Sequence, residues 1–576
     1  NDVLIGAAQE TQTSSQSKSS GKTGFSLSGE LSSTQKSQHA QQSSTQNIGS
    51  DISAGSIQIK SGRDSVVEGS TLVADKNIGI DAGRNLEITS AENTQSSSSK
   101  SGSTKSGQIG SWWQPATGVV KTKETDQSNS TRQSGSQIAS LGGNISLTAG
   151  DHYTQSASQL VTPQGDIDIK AKHVDIEAGF DTLNTNKTAS TNRTAIGGTV
   201  SIPLVDALRG IQQMGEAAQK TSDDRMVALA AVNAAMSANQ ALDAGQAMMQ
   251  NPVGGVKVSV NLSNSQSQMN SSQSGRNVVA SDVVAGGNVN IVATGAGADS
   301  DINVVGSRIE GGGDVSLKAD GEINLLSAQN TAHQQSANSN SGWSAGIGFG
   351  FGESNGITFE LAANKGRGSS DGDDVTHTNT SIKSGQTLSL QSGGDTNIKG
   401  AVATGEAVKV KVGGDLNVES QQDTSTYTSR QLSANVGLSI CVPPFCYGTS
   451  SVSGGIAAQH MQSEYASVSE QSGINAGDGG FQVEVKGNTD LVGAVIASTD
   501  KAVADGKNTL STGTLTTSDI KNKAEYDASS INLSGGYGFN VKEGGNASGT
   551  PARGGPVVTS KEGANANTPI VLFASG

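Results

Sequence analysis

The sequence predicts an all-β protein: a right-handed parallel β-helix, or solenoid, with protruding antiparallel β-hairpins and one inserted α-helical hairpin. Three observations predict this class. The 576 residues include 75 glycines but only 3% aromatic and 16% charged residues, too few large side chains for several compact cores. A glycine-containing phrase returns at intervals of about twenty residues. Within each copy of the phrase, apolar residues alternate with polar ones, which is the periodicity of a strand.

The repeated phrase predicts the coils of the solenoid. GGDTNI at residues 393–398 returns as GGDLNV at residues 413–418. Related blocks begin at Gly55, Gly142, Gly286 and Gly479. Their short strands end at Gly-Asp, Gly-Asn or Gly-Ser, residues that tolerate tight corners. Three short parallel strands per turn, with successive turns stacked about 4.8 Å apart around Val, Ile and Leu, account for the interval.

A longer period predicts hairpins that leave the solenoid about every ninety residues. The block ends SAENT, EAGFDT, SAQNT and ESQQDT place threonines at Thr94, Thr182, Thr331 and Thr424. After each block end the chain is rich in Ser and Gln and then alternates Gly with apolar residues, as in residues 342–366 and 432–459. The alternative interpretation is a disordered low-complexity linker. The strict alternation of apolar residues from Leu432 to Ile440 favours strands.

Residues 205–252 differ in kind and predict two antiparallel helices. Leu208, Ile211 and Met214 follow helical spacing, and Pro252 falls where the second helix should end. This pair could pack on itself or on the solenoid, or it could insert into a membrane during function.

The chain therefore divides into β-helix coils with Ser/Gln-rich hairpins (1–204), the α-helical hairpin insertion (205–252), and further coils with hairpins and a strand-rich C-terminal end (253–576).

The charge distribution, the first residues and the lengths of the apolar runs argue against nucleic-acid binding, a signal peptide and a membrane-spanning helix. The net charge of −14 is spread along the chain and no basic cluster stands out, so nucleic acid is not an expected partner. The first residues show neither a basic segment nor an apolar signal segment. No run of eighteen or more apolar residues predicts a membrane span. We interpret the sequence as a piece of a longer chain.

Cys441 and Cys446 in CVPPFC are the only cysteines. They lie between two alternating arms, with Pro443 and Pro444 at the turn, and we expect a disulfide that closes this loop in an oxidising, extracytoplasmic location. The alternative, a redox dithiol, normally has two residues between its cysteines.

The remaining polar residues predict no catalytic residue, no cofactor and no metal site. The six histidines are scattered singly. Asp166 and Asp168 alternate on one strand and should face outward, where sugar-cleaving solenoids place carboxylates, but solubility explains them as well. The acidic run at residues 369–374 lacks the ligand spacing of a calcium loop.

Five aromatic residues in the hairpins are candidates for contact with a membrane or a receptor. They are Trp112, Trp113, Trp343, Phe349 and Phe351. The alternative role for the tryptophans is a structural cap on the hairpin.

These features resemble the second haemagglutinin-repeat region of filamentous-haemagglutinin-like exoproteins of two-partner secretion. The resemblance rests on the GGDxNI coils, the SAENTQ and SAQNTA block ends, the Ser/Gln-rich hairpins and the Ala-rich helical segment. Residues 492–539 look especially like the contact-dependent growth inhibition effectors known as CdiA. The amino-terminal secretion domain, the pretoxin motif and the toxin domain of that family have no counterpart in this sequence.

The resemblance implies a non-enzymatic segment of a filament on the surface of a Gram-negative bacterium. It implies a partner outer-membrane transporter and a C-terminal toxin, both acting through regions absent here, and delivery of that toxin across the outer membrane of a target cell. The first alternative function is a passive adhesin stalk that binds cell surfaces. The second is a polysaccharide-acting β-helix enzyme. Our physical hypothesis for delivery is that the alternating hairpins enter the target membrane.

Overall fold

The computed structural model describes residues 1–25, 31–110, 115–201, 256–351, 354–541, 547–552 and 557–562. Within these residues the chain is almost entirely β-structure, and the predicted parallel β-helix with hairpins is confirmed. The helical pair predicted for 205–252 lies outside the described residues. No helix among the described residues has the length and apolar character needed to cross a membrane.

Each coil contributes one strand to each of three parallel columns. The first column holds β4 (Asp51–Ala54), β7 (Thr71–Ala74), β12 (Gln137–Ser140), β15 (Gln159–Thr162), β20 (Asp282–Ala285), β23 (Arg308–Gly311), β28 (Thr380–Ser384), the first parts of β31 (Ala401–Val412) and β34 (Gly473–Val485), and β36 (Val495–Ala497). The second holds β5 (Ile57–Ser61), β8 (Ile78–Ala82), β13 (Ile145–Ala149), β16 (Ile167–Ala171), β21 (Val289–Ala293), β24 (Val315–Ala319), β29 (Thr387–Ser392), the second parts of β31 and β34, and β37 (Thr509–Ser511). The third holds β1 (Val3–Ile5), β6 (Ser65–Glu68), β9 (Leu86–Thr89), β14 (His152–Ser156), β17 (His173–Glu177), β22 (Ile302–Val305), β25 (Ile323–Leu326), β30 (Thr396–Lys399), β32 (Leu416–Glu419), β35 (Thr489–Val492) and β38 (Leu515–Ser518).

After every second coil the chain leaves the third column as a long hairpin. The hairpin arms are β2 (Ala8–Phe25), β3 (Leu31–Ile48), β10 (Ala91–Gln108), β11 (Ala116–Ser134), β18 (Gly179–Ser201), β19 (Val256–Val279), β26 (Ala328–Phe351), β27 (Ser354–Thr378), β33 (Asp423–Ser467, both arms of one hairpin), β39 (Lys523–Val541), β40 (Ala547–Ala552) and β41 (Val557–Glu562). A 3-10 turn (Gly297–Asp299) and helix α1 (Asp500–Ala504) interrupt the coils.

The core is a set of aliphatic columns inside the solenoid. In register, Leu72, Ile138, Leu160, Val283 and Ile309 stack on successive coils, and all are fully buried. Alternation along each strand turns every second side chain inward, and parallel register places each one over its counterpart in the coil before. Each such side chain contributes about 1.5–3 kcal/mol through burial.

The repeated Gly-Gly-Asp phrase forms a corner between columns. Asp395 Oδ1 accepts the backbone N–H of Asp415 at 2.8 Å, and Asp415 Oδ1 accepts that of Asn488 at 2.6 Å. A Cβ on Gly413 would lie 2.0 Å from the carbonyl oxygen of Gly393 in the coil below. The phrase therefore supplies an acceptor for an otherwise unpaired N–H and the space for coils to stack closely.

Candidate functional site: one face of the hairpin sheet

The hairpins do not protrude separately. Their arms pair side by side into a single antiparallel sheet in the order β2-β3-β10-β11-β18-β19-β26-β27-β33-β39-β40, with β41 also on β39. Coils that carry a hairpin at every second turn bring consecutive hairpins close enough to share backbone hydrogen bonds. The sequence predicted each hairpin but not this common sheet, because pairing between hairpins joins residues tens of positions apart.

The block-end motif fixes the register where the hairpins leave the coils. Asn93 Oδ1 accepts the backbone N–H of Asn47 at 2.6 Å, and Asn330 Oδ1 accepts that of Val278 at 2.7 Å. Asp181, Asp423 and Asn522 make the same contact to Gln133, His377 and Val468. In each case a side-chain oxygen of one hairpin holds a return strand of the preceding one. The Asn or Asp of "ENT", "FDT", "QNT" and "QDT" is therefore a clasp between hairpins.

Toward the hairpin tips, register gathers apolar side chains on one face. Phe349 pairs with Val258, Ile347 with Val260 and with Phe359, and Trp343 with Ala363. Directly paired residues in an antiparallel sheet share a face. Across β18, β19, β26, β27, β33 and β39, that face carries Ile196, Val258, Val260, Leu262, Trp343, Ile347, Phe349, Phe359, Leu361, Val436, Ile456, Leu533 and Tyr537, all 40% or more exposed. We call this surface the apolar face.

On the opposite face, the small polar side chains nearest the tips of β19 and β27 are enclosed. Ser259 is 6% exposed and Thr358 is 0% exposed, whereas Ala362, farther from the tip of β27 on that face, is exposed. Soluble proteins bury large apolar side chains and expose polar ones. This half of the sheet reverses that arrangement.

Phe349 and Trp343, two of the predicted contact residues, lie on the apolar face and are 46% and 48% exposed. Phe351 is the last residue of β26, paired with Val256. Trp112 and Trp113 lie outside the described residues. Cys441 and Cys446 are joined by a disulfide, and Phe445, within the loop that they close, is 64% exposed.

Asp166 and Asp168, on adjacent outward positions of the second column, each hydrogen-bond to the next coil. Ile167 and Ile169 between and beside them point inward and are fully buried. Asp166 Oδ1 accepts the backbone N–H of Asn288, and Asp168 Oδ1 accepts the side-chain amide of Asn290 at 3.2 Å. Both carboxylates therefore tie one coil to the next.

The structure brings together some histidines that the sequence showed only as single residues. His152 and His173 are in register on β14 and β17, and their rings stack with centroids 4.3 Å apart beside Asp151. Lys172 Nζ lies 3.4 Å from Asp151 Oδ1 and already supplies a cation there. His333 Nδ1 lies 2.7 Å from Asp373 Oδ1. The interval of 21 residues between His152 and His173, one coil, is the signal that could have paired them.

Comparisons with known proteins agree with this architecture. A family model described as Hemagglutinin repeat matches residues 1–105, 117–245 and 262–436. The chain is 37% identical over 502 residues to a protein named deoxyribonuclease CdiA from Yersinia pseudotuberculosis, an alignment that covers 85% of this chain and 46% of that protein. It is 36% identical over 530 residues to a tRNA nuclease CdiA from Escherichia coli, covering 88% of this chain and 16% of that protein. No solved structure matches.

The chain thus spans less than half the length of these relatives. The repeat matches cover most of its own length, across both coils and hairpins. The chain belongs to the hemagglutinin repeat family.

Proposed function

We propose that this segment is a non-enzymatic delivery element. In this proposal it belongs to a filament secreted to the surface of a Gram-negative bacterium, and it associates with the outer membrane of a target cell to pass the toxin carried elsewhere in the parent chain. The observation that carries the proposal is the reversed sheet, with large apolar side chains outside and small or polar ones enclosed. A bilayer is the surrounding in which that arrangement lowers the free energy.

The names of the relatives support a role separate from catalysis. The segment is 37% identical to a protein named for deoxyribonuclease activity and 36% identical to one named for tRNA nuclease activity. The sequence identity is nearly the same to a nuclease named for DNA and to one named for tRNA, so it does not depend on which nucleic acid the relative cleaves. We infer that the nuclease activities belong to parts of those proteins that this segment does not cover.

The length of the apolar face is sufficient for deep entry into a bilayer. From Trp343 to Phe349 on β26 the face spans six residue steps, or about 20 Å at the rise of an antiparallel strand. The hydrocarbon core of a bilayer is about 30 Å thick. In the free protein this surface faces water, which is unusual for a soluble protein and marks an interaction site.

The test places a charge on the apolar face of the parent protein and measures delivery. Phe349→Glu and Val436→Glu sit at positions 46% and 51% exposed, so both variants should fold while a carboxylate in the hydrocarbon opposes insertion. Ala362→Glu, also exposed but on the opposite face of β27, is the matched control. We expect target-cell killing to fall with the first two and to persist with the control. Unchanged killing with Phe349→Glu and Val436→Glu would overturn the proposal and favour the passive adhesin stalk.

A further inference from the structure

The apolar face is bordered by basic residues on its side toward the solenoid. On β27, Ala363 is followed two residues later by Lys365 and four later by Arg367, which therefore share its face. Lys365 pairs with Ser341 and Arg367 with Leu432. Arg430 lies two residues before Leu432 on the neighbouring arm of β33, on the same face. All three basic side chains are exposed.

Cations recur in the same rows at the other end of the sheet. Following the pairs across β26, β19 and β18, the row of Lys365 reaches Lys121 and the row of Arg367 reaches Lys123 on β11. Four strand spacings separate β11 from β27, about 19 Å. The linear sequence shows no basic cluster because these residues come from three different hairpins.

The basic residues of this border have no acidic partner among the described residues. No ion pair within the described ranges involves Lys121, Lys123, Lys365, Arg367 or Arg430. On the opposite face the situation differs: Lys187 Nζ lies 2.7 Å from Glu124 Oε1 and 3.8 Å from Asp126 Oδ1. The hydrogen bond to Glu124 raises the pKa of Lys187. The five basic residues of the border are thus without an acidic partner in the described ranges, whereas Lys187 on the opposite face has two.

Two open grooves lie next to each other along the strands where the apolar face joins this border, with Lys365 lining the first and Arg367 the second. The first, about 680 Å³, is lined by small residues, including Ala363, Gly454 and Gly535, together with the larger Val436 and Ile456. The second, about 730 Å³, is lined by Arg367 and Arg430 together with Leu432 and Ile531. An apolar groove that leads to two guanidinium groups matches a molecule with an acyl chain and a phosphate head, because guanidinium pairs well with phosphate oxygens.

We propose that these grooves form a lipid site that takes the acyl chain of an anionic phospholipid beside Val436 and Ile456 and its phosphate between Arg367 and Arg430. This site rests on the membrane association proposed above and adds to it a preference for negatively charged lipid. It also orients the sheet, with the tips in the hydrocarbon and the solenoid outside.

The experiment measures partitioning of the whole chain onto vesicles by co-sedimentation, using phosphatidylcholine alone or phosphatidylcholine mixed with phosphatidylglycerol. We expect tighter binding to the mixed vesicles. Arg367→Gln with Arg430→Gln should weaken that binding about thirtyfold, since each basic residue near an anionic surface contributes about fivefold. Arg193→Gln on the opposite face of β18 is the matched control and should change binding less than twofold.

A second pair of variants tests the groove without changing charge. Ala363→Leu fills the groove, whereas Ala362→Leu adds the same atoms on the other face of β27. Weaker binding to phosphatidylglycerol vesicles with the first but not the second supports the site. Equal binding to both kinds of vesicle, unaffected by the arginine variants, overturns the lipid site and leaves membrane association standing. Binding to neither kind of vesicle overturns both.

Discussion

Asp395 and Asp415 occupy the same corner of consecutive coils, and the carboxylate of the first accepts the backbone N–H of the second at 2.8 Å. The same contact recurs from Asn77 to Asn144 and from Asn144 to Asp166, at 2.9 Å each. An acid or amide at this corner, which follows Gly-Gly at Asn144, Asp395 and Asp415, is thus the acceptor that joins one coil to the next.

Asp395→Ala should lower the free energy of unfolding by about 1–3 kcal/mol, because the N–H of Asp415 loses its partner in a crowded corner. Asp395→Asn keeps an acceptor oxygen at the same place and should cost less. Urea denaturation followed by circular dichroism measures the difference. Equal losses for the two variants would show that the carboxylate charge, and not its hydrogen bond, matters.

The close stacking of coils at Gly413 leads us to expect that a side chain at this position lowers stability. Gly413→Ala should destabilise the chain by about 1–3 kcal/mol, because its Cβ would lie 2.0 Å from a backbone oxygen that cannot move freely. Gly55→Ala is the control, since a Cβ there meets nothing within 4 Å. Thermal melting compares the two, and a similar melting temperature for both variants would contradict the close stacking.

The hairpin clasps predict local rather than global effects. Asn330→Ala removes the acceptor of Val278 N–H and the donor to Thr378 Oγ1, so amide exchange at the base of β19 should speed up by about tenfold. Asn330→Asp retains the acceptor and should protect Val278 better. Unchanged exchange in the alanine variant would mean that the backbone pairing alone sets the register.

The ion pair between Asp64 and Arg84 leads us to expect that the titration of Asp64 depends on Arg84. The hydrogen bond from Arg84, joined by one from the backbone of Asn85, holds the pKa of Asp64 below its ordinary value of 3.8. A carboxylate with a lowered folded pKa stabilises the fold above its unfolded pKa, and this stabilisation is lost as pH falls through the folded pKa. Arg84→Gln should move the Asp64 titration upward toward 3.8 in a carbon-detected NMR titration. An unchanged midpoint would contradict the role given to Arg84.

The disulfide at the hairpin tip should act locally. Closing so short a loop is worth about 2 kcal/mol in the chain-entropy account, and the loop lies far along the chain from the coil strands before and after it. Cys441→Ser with Cys446→Ser should speed amide exchange near Ser450 while the melting of the coils stays the same. A fall in coil melting would show that hairpin and solenoid unfold as one unit.

The sequence was sufficient to predict the coils and the individual hairpins, because both follow from patterns within a few tens of residues. The column from Leu72 to Ile309 is visible as alternation, and the corner at Asp395 as a repeated phrase. The common sheet was not predictable in this way. Its apolar face depends on pairing such as Val258 with Phe349, and its basic border on rows that join Lys123 to Arg367 through three intervening strands. These relationships arise only once the coils fix how far each hairpin is offset from the next.

Membrane association of this segment is tested by mixing the purified chain with outer-membrane vesicles and following alkaline extraction and protease protection. We expect the chain to stay with the membrane, with the tip halves of β26, β27 and β33 protected while the coils remain cleavable. A chain that washes off and is cleaved throughout would contradict this expectation, and the reversed sheet would then need an occupant other than lipid.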